Sequence, residues 1–162
     1  MGIGNIFRRI AAAPALPDPG VRMASIYRRN GKYYVTASSK TRDGFWLEEG
    51  PAEVLDATDF AALADSVRSA LERSTFGIRA PKDWSSHVNR VVEAAGLKRF
   101  SAFAKGTAHV SVREADGRLR VTPYRNGGSR EGYLGLEDEA LDLPAGSLDL
   151  ASAIETAFQR CR

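Results

Sequence analysis

Two histidines, one cysteine and two short runs of carboxylates are the residues of this chain that could do chemistry. His87 and His109 are the only imidazoles and Cys161 the only thiol. Neither histidine has a cysteine close in sequence, or a serine in a recognisable nucleophile context, so no general-base or nucleophile pair can be assembled from neighbours. Both read as surface or capping histidines. One cysteine and two histidines without HxH, CxxC or HExxH spacing do not make a zinc site. The carboxylate runs are Glu48-Glu49 and Glu137-Asp138-Glu139. Adjacent residues on a strand point to opposite sides, so each run is a poor acid/base pair and reads as a solvated rim. Asn126-Gly127-Gly128-Ser129-Arg130 is glycine-rich but lacks the GxxxxGK[ST] pattern of a phosphate loop, and it reads as a flexible loop. These residues call for no cofactor and no metal. They point away from an enzyme and towards a binding protein.

The elements that must carry these residues come in two similar sets. Ile26-Tyr27-Arg28-Arg29 and Lys32-Tyr33-Tyr34-Val35 flank Asn30-Gly31, a pair suited to the positive φ angles of a type I′ turn. Val110-Ser111-Val112 and Leu119-Arg120-Val121 flank Asp116-Gly117 in the same way. A third strand starts at Phe45-Trp46-Leu47 in the first set, ended or bulged by Gly50-Pro51, and near Gly132-Tyr133-Leu134 in the second. A helix closes each set. Phe60, Leu63, Val67, Ala70 and Leu71 form one apolar stripe, with Asp56 or Thr58 as cap. Leu150, Ile154, Ala157 and Phe158 form the other, with Ser147 as cap. The sequence therefore predicts an α+β fold. Its antiparallel sheet is built from two diverged β-β-β-α repeats (about 24–74 and 109–162) joined by a helical connector at 75–108. Both carboxylate runs fall in the strand-to-loop region of their repeat, which makes a shared acidic partner surface a specific expectation.

The connector is structured rather than a free linker. Val88, Val91, Val92 and Ala95 follow a helical pattern closed by Gly96, and 98–106 reads as a short helix ending at Gly106. Its aromatics, Trp84, Phe100 and Phe103, are expected to glue the halves together. At 162 residues, with 43% hydrophobic and 27% charged residues, the chain is an ordinary globular domain, not a disordered one. Residues 1–22 read as a disordered tail and 23–162 as a single domain. Arg8-Arg9 before Ile10-Ala11-Ala12-Ala13 faintly resembles a secretory signal, but Pro14 and Pro17 break the apolar run. A lone cysteine suits a reducing, cytoplasmic compartment, and no stretch is apolar enough to span a membrane. The net charge of +3 is unevenly placed: the tail and the connector are basic, and both repeats are mildly acidic. An acidic face suits a basic protein partner. The competing reading is an RNA- or DNA-binding regulator using Arg28, Arg29, Tyr33, Tyr34, Arg120, Tyr124 and Arg125, against which the acidity of both repeats weighs.

The segments in order resemble a known family. They run Ile26-Tyr27-x-x-Asn30-Gly31-Lys32-Tyr33-Tyr34, Gly44-Phe45-Trp46, Phe76-Gly77-Ile78-x-x-Pro81-Lys82-x-Trp84, Ala94-Ala95-Gly96-Leu97-Lys98-x-Phe100-x-x-Phe103-x-Lys105-Gly106 and Ala157-Phe158-x-x-Cys161. This order resembles the immunity proteins of contact-dependent growth inhibition, the CdiI type, over about residues 24–161. The resemblance implies a cytoplasmic protein that binds the C-terminal toxin domain of a secreted effector. The resemblance further implies that the toxin is usually a nuclease and that the immunity protein covers its active site or substrate groove. The family has no catalytic residues to carry over. On the residues themselves, Trp46, Glu48, Glu49, Tyr124, Glu137, Asp138 and Glu139 are the expected toxin contacts, with no membrane, nucleic acid or cofactor involved.

Overall fold

The computed structural model describes residues 17–162; the segment read as a tail lies mostly outside the described residues. Three strands open the fold: β1 (Arg22–Arg29), β2 (Lys32–Thr41) and β3 (Trp46–Asp56). The helix α1 (Phe60–Arg73) and a three-residue strand β4 (Phe76–Ile78) follow, and then two short helices, α2 (Arg90–Ala94) and α3 (Phe100–Ala104). The second half contains β5 (Ala108–Ala115), β6 (Arg118–Asn126), α4 (Gly128–Glu131), β7 (Tyr133–Gly135), β8 (Leu141–Pro144) and α5 (Leu150–Arg160). The sheet runs β3-β2-β1-β5-β6-β7, with β4 parallel to β2 and β8 antiparallel to β6.

Both predicted turns form as expected. Asn30 and Gly31 sit at φ 50° and 72°, and Asp116 and Gly117 at φ 52° and 71°. Positive φ at both central residues matches the right-handed twist of the flanking strands. The two hairpins meet through β1 and β5, which pair antiparallel from Arg22↔Glu114 to Arg28↔Ala108. The third strands differ. In the first half β3 is continuous over 11 residues, and Gly50-Pro51-Ala52 bulge opposite Thr36. In the second half that place is split into β7 and β8, separated by a 3-10 turn at Glu137–Glu139.

Alternation along the strands gives the sheet two faces. One buries Ala24, Ile26, Tyr33, Val35, Val110, Val112, Leu119 and Val121 beneath Leu63, Val67, Ala70 and Leu71 of α1 and Leu150, Ile154, Ala157 and Phe158 of α5. The helical stripes are the predicted ones, except that Phe60 turns outward at 46% exposure. The caps differ from expectation. Asp59, not Asp56 or Thr58, accepts from the Ala62 N–H at 3.1 Å. Ser147 accepts from the Asp149 N–H at 3.1 Å, in the turn before α5 starts. Polar bonds tie the halves across this core. The Arg68 guanidinium donates to the Ala145 and Ser147 carbonyls at 2.7 and 2.6 Å, and the Tyr33 hydroxyl donates to Glu155 at 3.0 Å.

The other face carries a smaller cluster in which Tyr27 and Tyr34 pack against Val91, Val92 and Phe103. Of the three connector aromatics expected to join the halves, only Phe103 is buried. Trp84, in a 3-10 turn at Trp84–Ser86, is 54% exposed, and Phe100, the first residue of α3, is 37% exposed. Arg29 fixes α3 by donating to the Phe103 and Lys105 carbonyls. Asn126 does the same from β6, donating to the Ala104 carbonyl at 2.7 Å. Truncating Phe103 to Ala is expected to cost about 3–5 kcal/mol in urea unfolding, as for a fully buried aromatic. Trp84→Ala should stay within about 0.5 kcal/mol, as for a surface site.

Candidate partner-binding site

The second face is organised as cross-strand rows. Tyr27 pairs with Tyr34 on one side and His109 on the other, an aromatic row. Beside it Thr36, Ser25, Ser111 and Thr122 align as a row of hydroxyls, all at most 5% exposed. The next row runs Glu48, Ser38, Met23, Arg113, Arg120 and Asp142 from one edge to the other. The helices α2 and α3 pack on the aromatic row near Tyr27 and Tyr34. The charged row is open to solvent at Arg113 and Asp142.

His109 corrects the sequence reading. It is neither a surface nor a capping residue: only 8% is exposed, and neither ring nitrogen has a hydrogen-bond partner. The ring stacks on Tyr27 at 4.4 Å and lies 4.2 Å from Tyr124, with the Tyr133 edge at 5.1 Å. Burial without a partner favours the neutral imidazole and pushes the group down from 6.5 to about 3. His87, in contrast, is exposed, with Trp84 edge-on at 5.7 Å.

Glu48 is the second correction. It is not a solvated rim residue. Its carboxylate turns inward and accepts from the Tyr27 hydroxyl, while Ser25 and Ser38 share a 2.9 Å bond beside it. Burial raises the Glu48 carboxyl above its ordinary value, and the hydrogen bonds from Tyr27 and Ser25 pull the other way. The Tyr27 hydroxyl is pushed far up, first by burial and then by the Glu48 charge. The alternation that makes Glu48-Glu49 a poor catalytic pair separates them here, one inward and one exposed.

The other expected contacts divide. Trp46 lies in the same row as Lys40, whose ammonium stands 5.7 Å from its ring, and so shares the face of Glu48. Tyr124 is half-buried on that face, its hydroxyl 3.2 Å from Ser111 Oγ. Glu137 is held there by Arg120 at 3.3 Å. Asp138 is exposed in the 3-10 turn, and Glu139 turns towards the C-terminal Arg162. Trp46, Glu48, Tyr124 and Glu137 therefore share one face, while Glu49, Asp138 and Glu139 leave it. The strands β3 and β6 lie four steps apart, about 19 Å at ~4.8 Å per step.

The basic and aromatic residues of the nucleic-acid reading do not gather. Tyr33 is buried in the main core, with Arg28 4.7 Å over Phe158 on the same side. Arg29 is spent on carbonyls, and Arg120 and Arg125 are paired with carboxylates. No group of three or more metal-ligating side chains occurs among the described residues. No helix among them is long and apolar enough to cross a membrane.

The family model described as CDI immunity protein (CdiI) matches residues 22–161. The chain belongs to that family. The fold of this CdiI-family chain is similar to that of a protein of unknown function, NMB0488, from Neisseria meningitidis. The TM-score is 0.73 at 18% identity, covering 91% of this chain and 99% of that one. It is also similar to a chain of a CdiA-CT/CdiI toxin and immunity complex from Yersinia pseudotuberculosis. There the TM-score is 0.69 at 15% identity, covering 90% of this chain and 100% of that one. No curated protein matches the sequence.

The buried imidazole gives this CdiI-family fold a defined acid response. In the unfolded chain His109 takes a proton below 6.5, while in the fold it stays neutral until about 3. Its contribution to stability is therefore lost as pH falls from 6.5 towards 3, by up to about 1.4 kcal/mol per unit. Glu48 acts in the opposite sense, because a raised carboxyl favours the fold on acidification from that raised value down to 4.5. His109→Phe keeps the stacking and removes the imidazole. Urea midpoints from pH 7 to pH 4 should fall less steeply for this variant than for the parent. Parallel slopes would refute the assignment.

Proposed function

We propose that this chain protects the cell that makes it by binding the C-terminal toxin domain of a contact-dependent growth inhibition effector. The complex forms one to one in the cytoplasm. The observation that carries the reading is the match to the CDI immunity protein family across nearly the whole fold. The similar Yersinia pseudotuberculosis chain comes from a toxin and immunity complex, which adds support.

The mechanism is stoichiometric occlusion rather than turnover. The toxin lies across the second sheet face, contacting Trp46, Glu48, Tyr124 and Glu137, with Glu49, Asp138 and Glu139 at the margins. A patch about 19 Å across fits an interface that buries ~800 Å² per partner. Trp46 and Tyr124 supply amphipathic anchors at low entropic cost. The toxin is a nuclease in this reading. A nuclease presents cations where it grips phosphates, and carboxylates on the inhibitor attract those cations and speed encounter. The mild acidity of both halves fits that role.

Co-expression with the C-terminal domain encoded by whatever gene lies immediately upstream tests the reading. Survival of cells and co-purification of an equimolar complex are expected, and death despite good expression would remove the proposal. Within that complex, Trp46→Ala and Tyr124→Ala should each weaken binding by about 1–2 kcal/mol in titration calorimetry. Neither should abolish folding.

A further inference from the structure

The edge strand β3 does not lie flat against its neighbour. Between Val35↔Glu53 and Ala37↔Glu49 the register jumps, so Gly50, Pro51 and Ala52 face Thr36 alone. Gly50 takes φ 74°, and Pro51 has no N–H to offer a further strand. The bulge and the connector that runs past it enclose a cleft of about 630 Å³. Glu48, Glu49, Arg79, Asp83, His87 and Arg90 are among its lining residues. At Gly50 and Arg90 the cleft continues into a second one of about 480 Å³ over Pro51, Ala52 and Glu93.

Two properties set this cleft apart from the rest of the surface. First, its charges are unbalanced. Arg90 is paired with Glu93 at 3.0 Å. Glu48, Glu49 and Asp83 have no ion-pair partner among the described residues; Glu48 meets a phenol and Asp83 accepts from Ser85 at 2.9 and 2.6 Å. Of the two arginines in the lining, Arg79 alone is without an ion pair to set against these three carboxylates. Second, apolar side chains are exposed beside it. Val88 of the lining is 50% exposed, and Trp84 (54%), edge-on to the lining His87 at 5.7 Å, meets Phe45 (38%) at 5.9 Å. An exposed tryptophan is a residue type on which binding hot spots centre, and unpaired carboxylates beside it favour a cationic partner.

We propose that this cleft receives a basic loop of the toxin domain. An arginine or lysine of that loop lies among Glu48, Glu49 and Asp83, and its flanking apolar residue packs on Trp84 and Phe45. The inference rests on the immunity reading above and names the partner chemistry at the β3 edge of the sheet. A guanidinium fits best, because its planar fork can meet two carboxylates at once and its stem can lie on an aromatic ring. The volume lies within the range of specific binding pockets and exceeds what one side chain needs, so a loop rather than a lone residue fills it.

Association kinetics with the purified C-terminal domain encoded by whatever gene lies immediately upstream test this. The variants are Glu49→Lys/Asp83→Lys, Arg79→Glu and, as a control of equal charge change on α1 beneath the opposite face, Asp65→Lys/Glu72→Lys. The cleft reversal should slow association about tenfold or more and weaken the complex further. Arg79→Glu should leave association unchanged or faster, and the α1 control should stay within about twofold of the parent. Equal behaviour of the cleft reversal and the α1 control would overturn the cleft assignment while leaving immunity intact. If the parent forms no complex, the immunity reading falls and the cleft assignment with it. Should the cleft reversal unfold the protein, Glu49→Gln/Asp83→Asn is scored by the same comparison.

Discussion

The antiparallel pairing of β1 with β5 is the contact on which the rest of the structure depends. Among the described residues it is the only strand pairing between the two halves, seven residue pairs from Arg22↔Glu114 to Arg28↔Ala108. A two-stranded hairpin is barely stable alone in water. Joined along this seam, the halves make one wide sheet whose apolar face can be covered by α1 and α5 together. The seam also brings Tyr27 beside His109 and Ser25 beside Ser111, so the polar rows of the second face exist only because of it. Shifting the register by one residue would send those side chains into the main core and the valines of β5 out of it.

Much of this architecture was legible because its signals are local. Asn30-Gly31 and Asp116-Gly117 announce their turns, and the stripes of α1 and α5 announce their buried faces. The third strand of the second half was less legible. Gly132 (φ 69°) and the carboxylates that follow divide it into two pieces, where the first half needs only a bulge. The strand β4 left almost no signal. Three residues, Phe76-Gly77-Ile78, pair parallel to the end of β2, and no periodicity can be read from so short a run. The connector aromatics were misjudged for a related reason. Composition shows that Trp84, Phe100 and Phe103 are large and apolar, but only the path of the chain decides which of them meets Tyr27 and Tyr34.

The candidate site was legible in part. Strand alternation alone places Glu48 and Glu49 on different sides, and the structure shows the consequence, one carboxylate under a tyrosine hydroxyl and one in solvent. What alternation could not show is which side was lined with Ser25, Ser38 and Tyr27, because those residues come from two other strands. His109 was misread on the same ground. Its neighbours in sequence say little, and its burial is decided by Tyr27, Tyr124 and Tyr133, all more than a dozen residues away. Asp83 gave no sign of a shared cleft with Glu49, since the two meet only where the connector runs past the bulge in β3.

The main core and the proposed partner surface lie on opposite faces, which bears on how such a protein can change. The main cluster draws its stability from aliphatic side chains of β1, β2, β5 and β6 packed on two helices, and none of Trp46, Glu49, Asp83, Trp84 or Glu137 belongs to it. A substitution in the cleft or the charged row therefore leaves the main energetic term of folding untouched. Solved structures that keep this fold at 18% and 15% identity show how little of the sequence the architecture requires. Glu48 is the exception within the surface. Its carboxylate is bound to Tyr27, which also packs on His109 and Phe103, so a change there reaches the smaller core. A partner that places a cation beside Glu48 would offset the cost of burying that charge, and so would stabilise the fold in the act of binding it.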